Sequence, residues 1–358
     1  MSDWRETDIV NVDQPEFSVE RVLLAHGGGG ELTGDLIRRH LVPHLNNERL
    51  APLTDGAVLP WEAGELVFTT DSYVVVPLEF PGGDIGRIAV AGTVNDLAVM
   101  GATPVALSLG LIIEEGLPVE VLDRIVASIA ATAREADVEI VTGDTKVIEH
   151  CGSEPARPRA GLFINTAGVG KLLPNVHLDL DRVAAGDAVL FSGNIADHGL
   201  TIMSVRHGIE FESDLRSDAA PLNGMIQALL TTSAEVKFIR DATRGGLAGV
   251  LADISEHCRL SIEIDEDSIP ISPTARQAAE MLGLDPLTVA NEGKVVCVVA
   301  HDHVAKALDA MRSHPAGRQA AVIGRITDTQ PPLVELDTCA GGRRIVQRPY
   351  GEELPRIC

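Results

Sequence analysis

Residues 80–113 read FPGGDIGRIAVAGTVNDLAVMGATPVALSLGLII, and the two halves of this stretch follow different rules. From Asp84 to Gly101, the small residues Ala89, Ala91, Gly92 and Ala98 recur among Ile and Val, which predicts a closely packed helix. After Pro104 the run from Val105 to Ile113 predicts a buried strand. Residues 97–113 carry no charge, but a membrane helix needs about 20 apolar residues. The run is broken by Gly101, Thr103 and Pro104 and stops at Glu114-Glu115, so it reads as helix, turn and strand.

Working outward, the pattern alternates. On the N-terminal side, HGGGG at 26–30 precedes a helical pattern from Glu31 to Leu45, then short strands at Leu66–Thr70 and Tyr73–Val76. On the other side come a helix over Val121–Arg134 and strands at Glu139–Thr142 and Leu162–Gly168. A second series follows, with strands at 187–192, 260–264, 295–299, 321–326 and 333–336. Its helices are expected at 198–206, 219–232, 247–257, 274–282 and 303–311. Mixed elements in both halves predict an α/β (α+β) fold. A chain of 358 residues suggests two domains. The expected division is an N-terminal segment 1–45, α/β domains at 46–172 and 173–338, and a mobile tail at 339–358.

The charge arithmetic narrows the partners. With 29 basic and 52 acidic residues the net charge is −23, which argues against nucleic acid and against an anionic membrane surface. Five cysteines without a CxxC pair argue against a disulfide framework or zinc knuckle and suit a reducing cytoplasm. Residues 1–20 contain only Arg5 as a base, unlike a secretory signal.

Several groups carry chemistry. Asp71 in TTDSY, Asp96 in GTVND, Asp144 in TGDTK and Asp241 in RDATRGG each follow apolar runs beside Gly or Thr. Such carboxylates suit Mg2+, which takes oxygen ligands shared with substrate phosphates, although Asp also caps helices and shapes turns everywhere. Gly28 and Gly29 lie in a loop whose backbone N–H groups can cradle phosphate, or which is simply a flexible turn. No GxxxxGK[ST] loop occurs in the chain. Thr243, Arg244 and Gly245 precede a helix and form a candidate anion site, with plain helix capping as the alternative. Lys146 is either a partner for a phosphate or carbonyl, or a surface lysine. Glu292 at a strand entrance is a candidate base or a turn residue. Cys358, the last residue, is a candidate reactive thiol on an arm.

Taken together, HGGGG, TTDSYVV, the 80–104 stretch, TGDTKV, FINTAGVG, RDATRGGLA, NEGKV and the terminal PRIC resemble the HypE family of hydrogenase maturation proteins, the carbamoyl dehydratases. The wider likeness is to aminoimidazole ribonucleotide synthetase, selenophosphate synthetase and thiamine-monophosphate kinase. It covers about residues 26–358. The resemblance implies a two-domain PurM-like fold, with N-terminal strands of two subunits forming a barrel across a homodimer. It also implies an ATP- and Mg2+-dependent enzyme. The carbamoyltransferase HypF would place a carboxamide on Cys358, ATP would activate its oxygen, and dehydration would give a thiocyanate. The cyanide would pass to the iron of [NiFe]-hydrogenase through the HypC–HypD complex. By the same resemblance Cys358, Lys146 and Glu292 are catalytic. Gly28, Gly29, Asp84, Asn95, Thr243, Arg244 and Gly245 would hold ATP, and Asp71, Asp96, Asp144 and Asp241 the metal. The segment from His150 to Arg159 is longer and more polar than the family pattern, and Cys151 has no role in it.

Two other readings remain at this point. One is a kinase or synthetase of the same superfamily acting on a free small molecule; it has no use for a terminal thiol. The other is a non-catalytic thiol carrier, which has no use for the aspartates.

Overall fold

The computed structural model describes residues 30–36, 38, 57–61, 64–114, 116–148, 161–209 and 215–350. After a short helix α1 (Glu31–Leu36), the chain forms β1 (Ala57–Trp61) and β2 (Gly64–Tyr73), then a small hairpin, β3 (Glu79–Phe80) and β4 (Gly83–Asp84). Helix α2 (Ile85–Val99), β5 (Ala102–Glu114), α3 (Val119–Glu135), β6 (Glu139–Ile148) and β7 (Leu162–Leu172) complete the first half. The sheet order is β1-β2-β7-β5-β6. Only β5 and β6 run parallel, because α3 returns the chain to the same edge between them.

Helix α2 holds the fold together. Asp84 caps it by accepting a bond from the Arg87 N–H at 2.9 Å, and every residue of it except Arg87 is buried. Burying one large aliphatic side chain stabilises a fold by about 1.5–3 kcal/mol. Ile85, Ile88, Val90 and Val94 join the core under the first sheet, whereas Ala98 and Val99 belong to a core of the second half.

That second half begins with β8 (Ala188–Phe191) and α4 (Asp197–Arg206), followed by α5 (Asn223–Leu230), β9 (Val236–Asp241) and α6 (Gly246–Cys258). It ends with β10 (Ser261–Asp265), α7 (Pro273–Leu282), β11 (Val295–Val299), α8 (Val304–Arg312), β12 (Ala321–Thr327), β13 (Val334–Asp337) and β14 (Arg343–Val346). These strands make one mixed sheet in the order β14-β13-β10-β12-β8-β11-β9. Among the described residues no helix is long and apolar enough to cross a membrane.

Several local expectations change. The strand expected at 66–70 runs on through Thr70 and Asp71 to Tyr73 as β2, whereas residues 74–76, expected as part of a second strand, are not strand. Residues 219–222 are an extended strap before α5, where a helix was expected. Residues 343–346, expected within a mobile tail, form the edge strand β14. Strand β6 does not stop at Thr142 but runs on through GDTK. A bulge beside Leu107 and Ser108 also shifts its phase, so that Asp144 pairs with Gly110 and Lys146 with Ile112.

Candidate active site

The period of two along β2 puts Thr69, Asp71 and Tyr73 on the face that α2 covers. Thr69 Oγ1 donates to Asp96 Oδ2 at 2.8 Å, which draws Asp96, on α2, against the sheet. The Tyr73 hydroxyl lies 3.2 Å from Asp71 Oδ2 and 3.3 Å from Thr93 Oγ1. Thr93 in turn sits 2.5 Å from Thr166 Oγ1, which donates to the Ala89 carbonyl. Each hydroxyl has one proton. Thr166 gives its proton to Ala89 and Thr93 to Thr166, which leaves the Tyr73 proton for Asp71. Burial, reinforced by the charges of Asp71 and Asp96, holds the Tyr73 phenol well above its ordinary value. It therefore stays a donor to Asp71 throughout the neutral range.

Facing this floor is the turn before β11. Asn291 fixes it by accepting from the Ala196 N–H and donating to the Ala242 carbonyl, both at 2.8 Å. The Glu292 N–H donates to Asp218 Oδ1 at 3.0 Å. Gly293 is required here, since a Cβ would stand 2.0 Å from the Asp218 carbonyl oxygen. Lys294 Nζ lies 3.1 Å from Asp218 Oδ2, and that pair is nearly buried. The Glu292 carboxyl is 3% exposed and its Oε1 has no hydrogen-bond partner. Burial pushes it well above the usual carboxylate range; the charges of Asp218, Asp241 and Asp71 push the same way and Arg244 opposes them. Asp71, Asp241 and Arg244 thus stand near enough to Glu292 for their charges to act on its carboxyl.

Asp241 ends β9 and accepts from Thr243 Oγ1 at 3.1 Å. The chain then turns through Gly245 and Gly246, both at positive φ, into the 13-residue helix α6. At Gly246 a Cβ would also meet the Leu287 and Val289 carbonyls within 2.6 Å, so only glycine fits this turn. Of the N–H groups that open α6, those of Gly246 and Ala248 are spent on the Thr243 and Leu287 carbonyls, so the exposed Arg244 is the main anion-binding group of this corner.

Of the other expected site residues, Asn95 adjoins the cluster, its Nδ2 lying 3.5 Å from the Glu292 carbonyl, and the rest fall elsewhere. Asn95 spends its amide inside the protein, donating to the Ala220 carbonyl at 3.1 Å and accepting from the Leu222 N–H at 2.7 Å. Asp84 is the cap of α2, and burial raises its carboxyl. Asp144 and Lys146 pair with each other at 2.8 Å, both about two-thirds exposed. Asp144 stands in the row of Gly110, Asn165 and Ser72, one residue out of step with Asp71, and therefore on the opposite face of the sheet. Within one chain neither joins the Asp71–Asp96–Glu292 cluster. Gly28, Gly29 and Cys358 lie outside the described residues.

Tyr73, Thr93, Asp218 and Lys294 were not expected. Tyr73 had a visible signal, since it lies two residues after Asp71 in an alternating strand. Asp218, in SDAAPL, had none, because its partner Glu292 is 74 residues away.

Relatives and family models match the chain along most of its length. The family models for AIR synthase related protein match in their N-terminal domain over residues 53–172 and in their C-terminal domain over 184–336. Carbamoyl dehydratase HypE of Azotobacter vinelandii is 45% identical over 97% of this chain and 99% of its own. The Escherichia coli K12 protein of the same name is 43% identical over 95% and 100%. A crystal structure of HypE in complex with ATP superposes with a TM-score of 0.78 at 41% identity, covering 94% of this chain and 100% of that one. The HypE–HypF complex gives 0.81 at 44%, covering 88% and 99%. With long relatives matched end to end and both domain models satisfied, the chain belongs to the HypE family of carbamoyl dehydratases, within the AIR synthase related proteins.

Proposed function

We propose that this chain is an ATP-dependent carbamoyl dehydratase that converts a carboxamide on the Cys358 thiol into a thiocyanate. The observation that carries the reading is Glu292, a buried carboxyl with an unbonded oxygen among aspartates, beside an anion-binding corner. HypE relatives crystallised with ATP and with HypF support ATP as substrate and a HypF-type carbamoyltransferase as the donor partner.

The chemistry follows from leaving-group ability. Hydroxide leaves an amide carbon poorly and phosphate leaves well. The carboxamide oxygen attacks the γ-phosphorus, ADP departs, and nitrogen loses one proton. Loss of the second N–H proton then forms the C≡N bond as the C–O bond breaks and phosphate leaves. The balance is carboxamide plus ATP giving thiocyanate, ADP and phosphate. An N–H of this kind is a weak acid, so its base must bind the proton firmly, as the buried Glu292 carboxyl does, while Arg244, and Mg2+ when bound, would favour the ionised form that accepts the proton. Arg244, beside the Gly245–Gly246 turn, would receive phosphate oxygens. Cys358 carries the substrate into this cleft on an arm, which keeps water from the phosphorylated carboxamide.

Among the described residues no three His, Cys, Asp or Glu side chains form a ready metal cage. That fits Mg2+, which is usually held by one or two carboxylates together with substrate phosphates. Asp71, Asp96 and Asp241 are the candidates, one or two of which would meet the ion together with the phosphates, and Tyr73 and Thr69 orient the first two. When bound, the ion neutralises charge on the transferring phosphoryl group. Asp144 and Lys146, on the other face of the sheet, belong to a second proposal. That face carries exposed Phe68 and Ile112 and suits a second copy of the chain, giving a homodimer. The thiocyanate is read as the cyanide source for [NiFe]-hydrogenase, passed on through a HypC–HypD-type complex.

The test is intact-mass spectrometry with the carbamoyltransferase, carbamoyl phosphate and Mg-ATP. The expected result is an adduct on Cys358 that loses one water only when ATP is present, and no adduct on Cys358→Ala. Consumption of ATP on a free small molecule, with Cys358 untouched, would replace this reading with a superfamily kinase.

A further inference from the structure

The last described residues do not simply trail away from β14. Val346 is buried at the end of that strand. Arg348 then turns back onto α6, where one guanidinium nitrogen meets Asp253 and lies 2.9 Å from Glu256. Asp253 is shared, for its other oxygen is 3.0 Å from Arg240 Nη1. Arg240 immediately precedes Asp241 on β9. Pro349 is buried, and its carbonyl accepts from the Glu31 N–H at 3.3 Å. Its ring is also the neighbour that a Cβ at Gly245 would meet, at 3.9 Å. Tyr350 is 73% exposed. The point of departure toward Cys358 is therefore pinned against the phosphate-compatible turn, by a residue with no place in the chemistry.

The Arg348 side chain is only 20% exposed, and its Nε is buried without a hydrogen-bond partner. An Arg serving as a solubilising surface group would not be held this way. Two carboxylates offset the unbonded N–H, and both project from one face of α6, three residues apart.

We propose that Arg348 is a positioning residue for the thiol: its latch on Asp253 and Glu256 fixes where the arm leaves the body, and so sets the effective concentration of Cys358 in the cleft. This rests on the dehydratase reading above. With the latch closed, the last described anchor is Pro349, and nine residues at about 3.5 Å each limit the reach of the thiol to at most roughly 30 Å. With it open, the anchor retreats to Val346 and the tether lengthens to 12 residues. Effective concentration falls as about the −3/2 power of tether length, so length alone costs roughly 1.5-fold. Release from the Gly245 turn adds a loss of aim, since the arm then starts from the far edge of the second sheet.

The experiment compares the same chemistry in two forms. In the first, the carbamoylated full chain is given Mg-ATP, and the first-order loss of water is followed by intact mass. In the second, an S-carbamoylated synthetic peptide of residues 350–358 is offered in trans to the full chain carrying Cys358→Ala. Arg348→Met is expected to slow the tethered reaction about two- to fivefold and to leave kcat/KM for the free peptide unchanged. Arg348→Lys, which keeps a charge, recovers part of the tethered rate. Inserting Gly-Ser-Gly after Tyr350, which lengthens the tether to 12 residues but keeps its anchor, slows the tethered reaction only about 1.5-fold. Equal losses in both forms would overturn the proposal, because they mean general damage to the fold, and so would no loss in either. If the unsubstituted chain dehydrates neither form, the dehydratase reading itself fails, which is a separate result.

Discussion

The first sheet has two faces that look alike in sequence and differ in use. On the inner face, Thr69 and Tyr73 of β2 meet Asp96 and Thr93 of α2, and Tyr73 also holds Asp71. On the outer face, Asp144 and Lys146 of β6 pair with each other in the open. Both sets sit in short motifs rich in Thr and Asp. The difference is phase: a shift of one residue across the ladder sends a carboxylate to water or to the cluster. A motif therefore names a residue type, while register decides what it can touch.

The largest expected effect is at the centre of the inner cluster. Glu292→Gln should leave carbamoylation of Cys358 intact and slow dehydration by about 10²–10⁴-fold, the usual worth of a positioned general base. Near-normal thiocyanate formation by mass spectrometry would remove Glu292 from the mechanism. The same substitution carries a pH signature. The folded carboxyl holds its proton above the ordinary carboxylate range, whereas the unfolded one releases it near pH ~4.3. Between those values the unfolded state binds fewer protons, so stability falls as pH rises. Thermal melts should show Glu292→Gln gaining on the parent chain as pH increases through that window.

Next comes the comparison of faces itself. Asp71→Asn should weaken Mg-ATP binding roughly 10–100-fold in calorimetry. Asp144→Asn should leave it within about twofold. Equal losses would mean that the outer face also reaches the nucleotide, which would then have to happen in a neighbouring subunit. Ile112→Asp tests that neighbour directly. A charge facing a second copy should shift sedimentation toward monomer, with dimer affinity reduced at least about tenfold. An unchanged sedimentation profile would leave the outer face to another partner. The smallest effect is expected for Tyr73→Phe. Losing one hydrogen bond to a carboxylate is worth about 1.5–3 kcal/mol at most, and the 3.2 Å contact is long. A rise of roughly 2–10-fold in the Mg2+ concentration needed for half-maximal ATP binding would register it.

Much of the inner face was legible in the sequence. The small-residue helix announced α2, and TTDSY announced an alternating strand once its period was followed to Tyr73. The outer face was not, because β6 was expected to end at Thr142 and because the bulge beside Leu107 and Ser108 is a relation between two strands. Without that bulge Asp144 would stand opposite Leu111, in the inner row. The Asp218–Glu292 contact was hidden for a related reason, since a hydrogen bond between a strap and a turn leaves no period in either. The anion turn lies between these cases. Two adjacent glycines after RDATR were visible, but that they fit only as glycine depends on carbonyls from 287 and 289.

Helix α2 has one more consequence. Its first turns lie in the core of one sheet and its last turn in the core of the other, while Ile202, Met203, Ala219 and Ala290 of the second half pack into the first core. A hinge needs a seam, and here the seam is filled with side chains from both sides. Opening the two halves like jaws would tear apart hydrophobic contacts worth several kcal/mol. A body that cannot gape around its substrate must have the substrate brought to it, which is the part the proposed reading gives to Cys358.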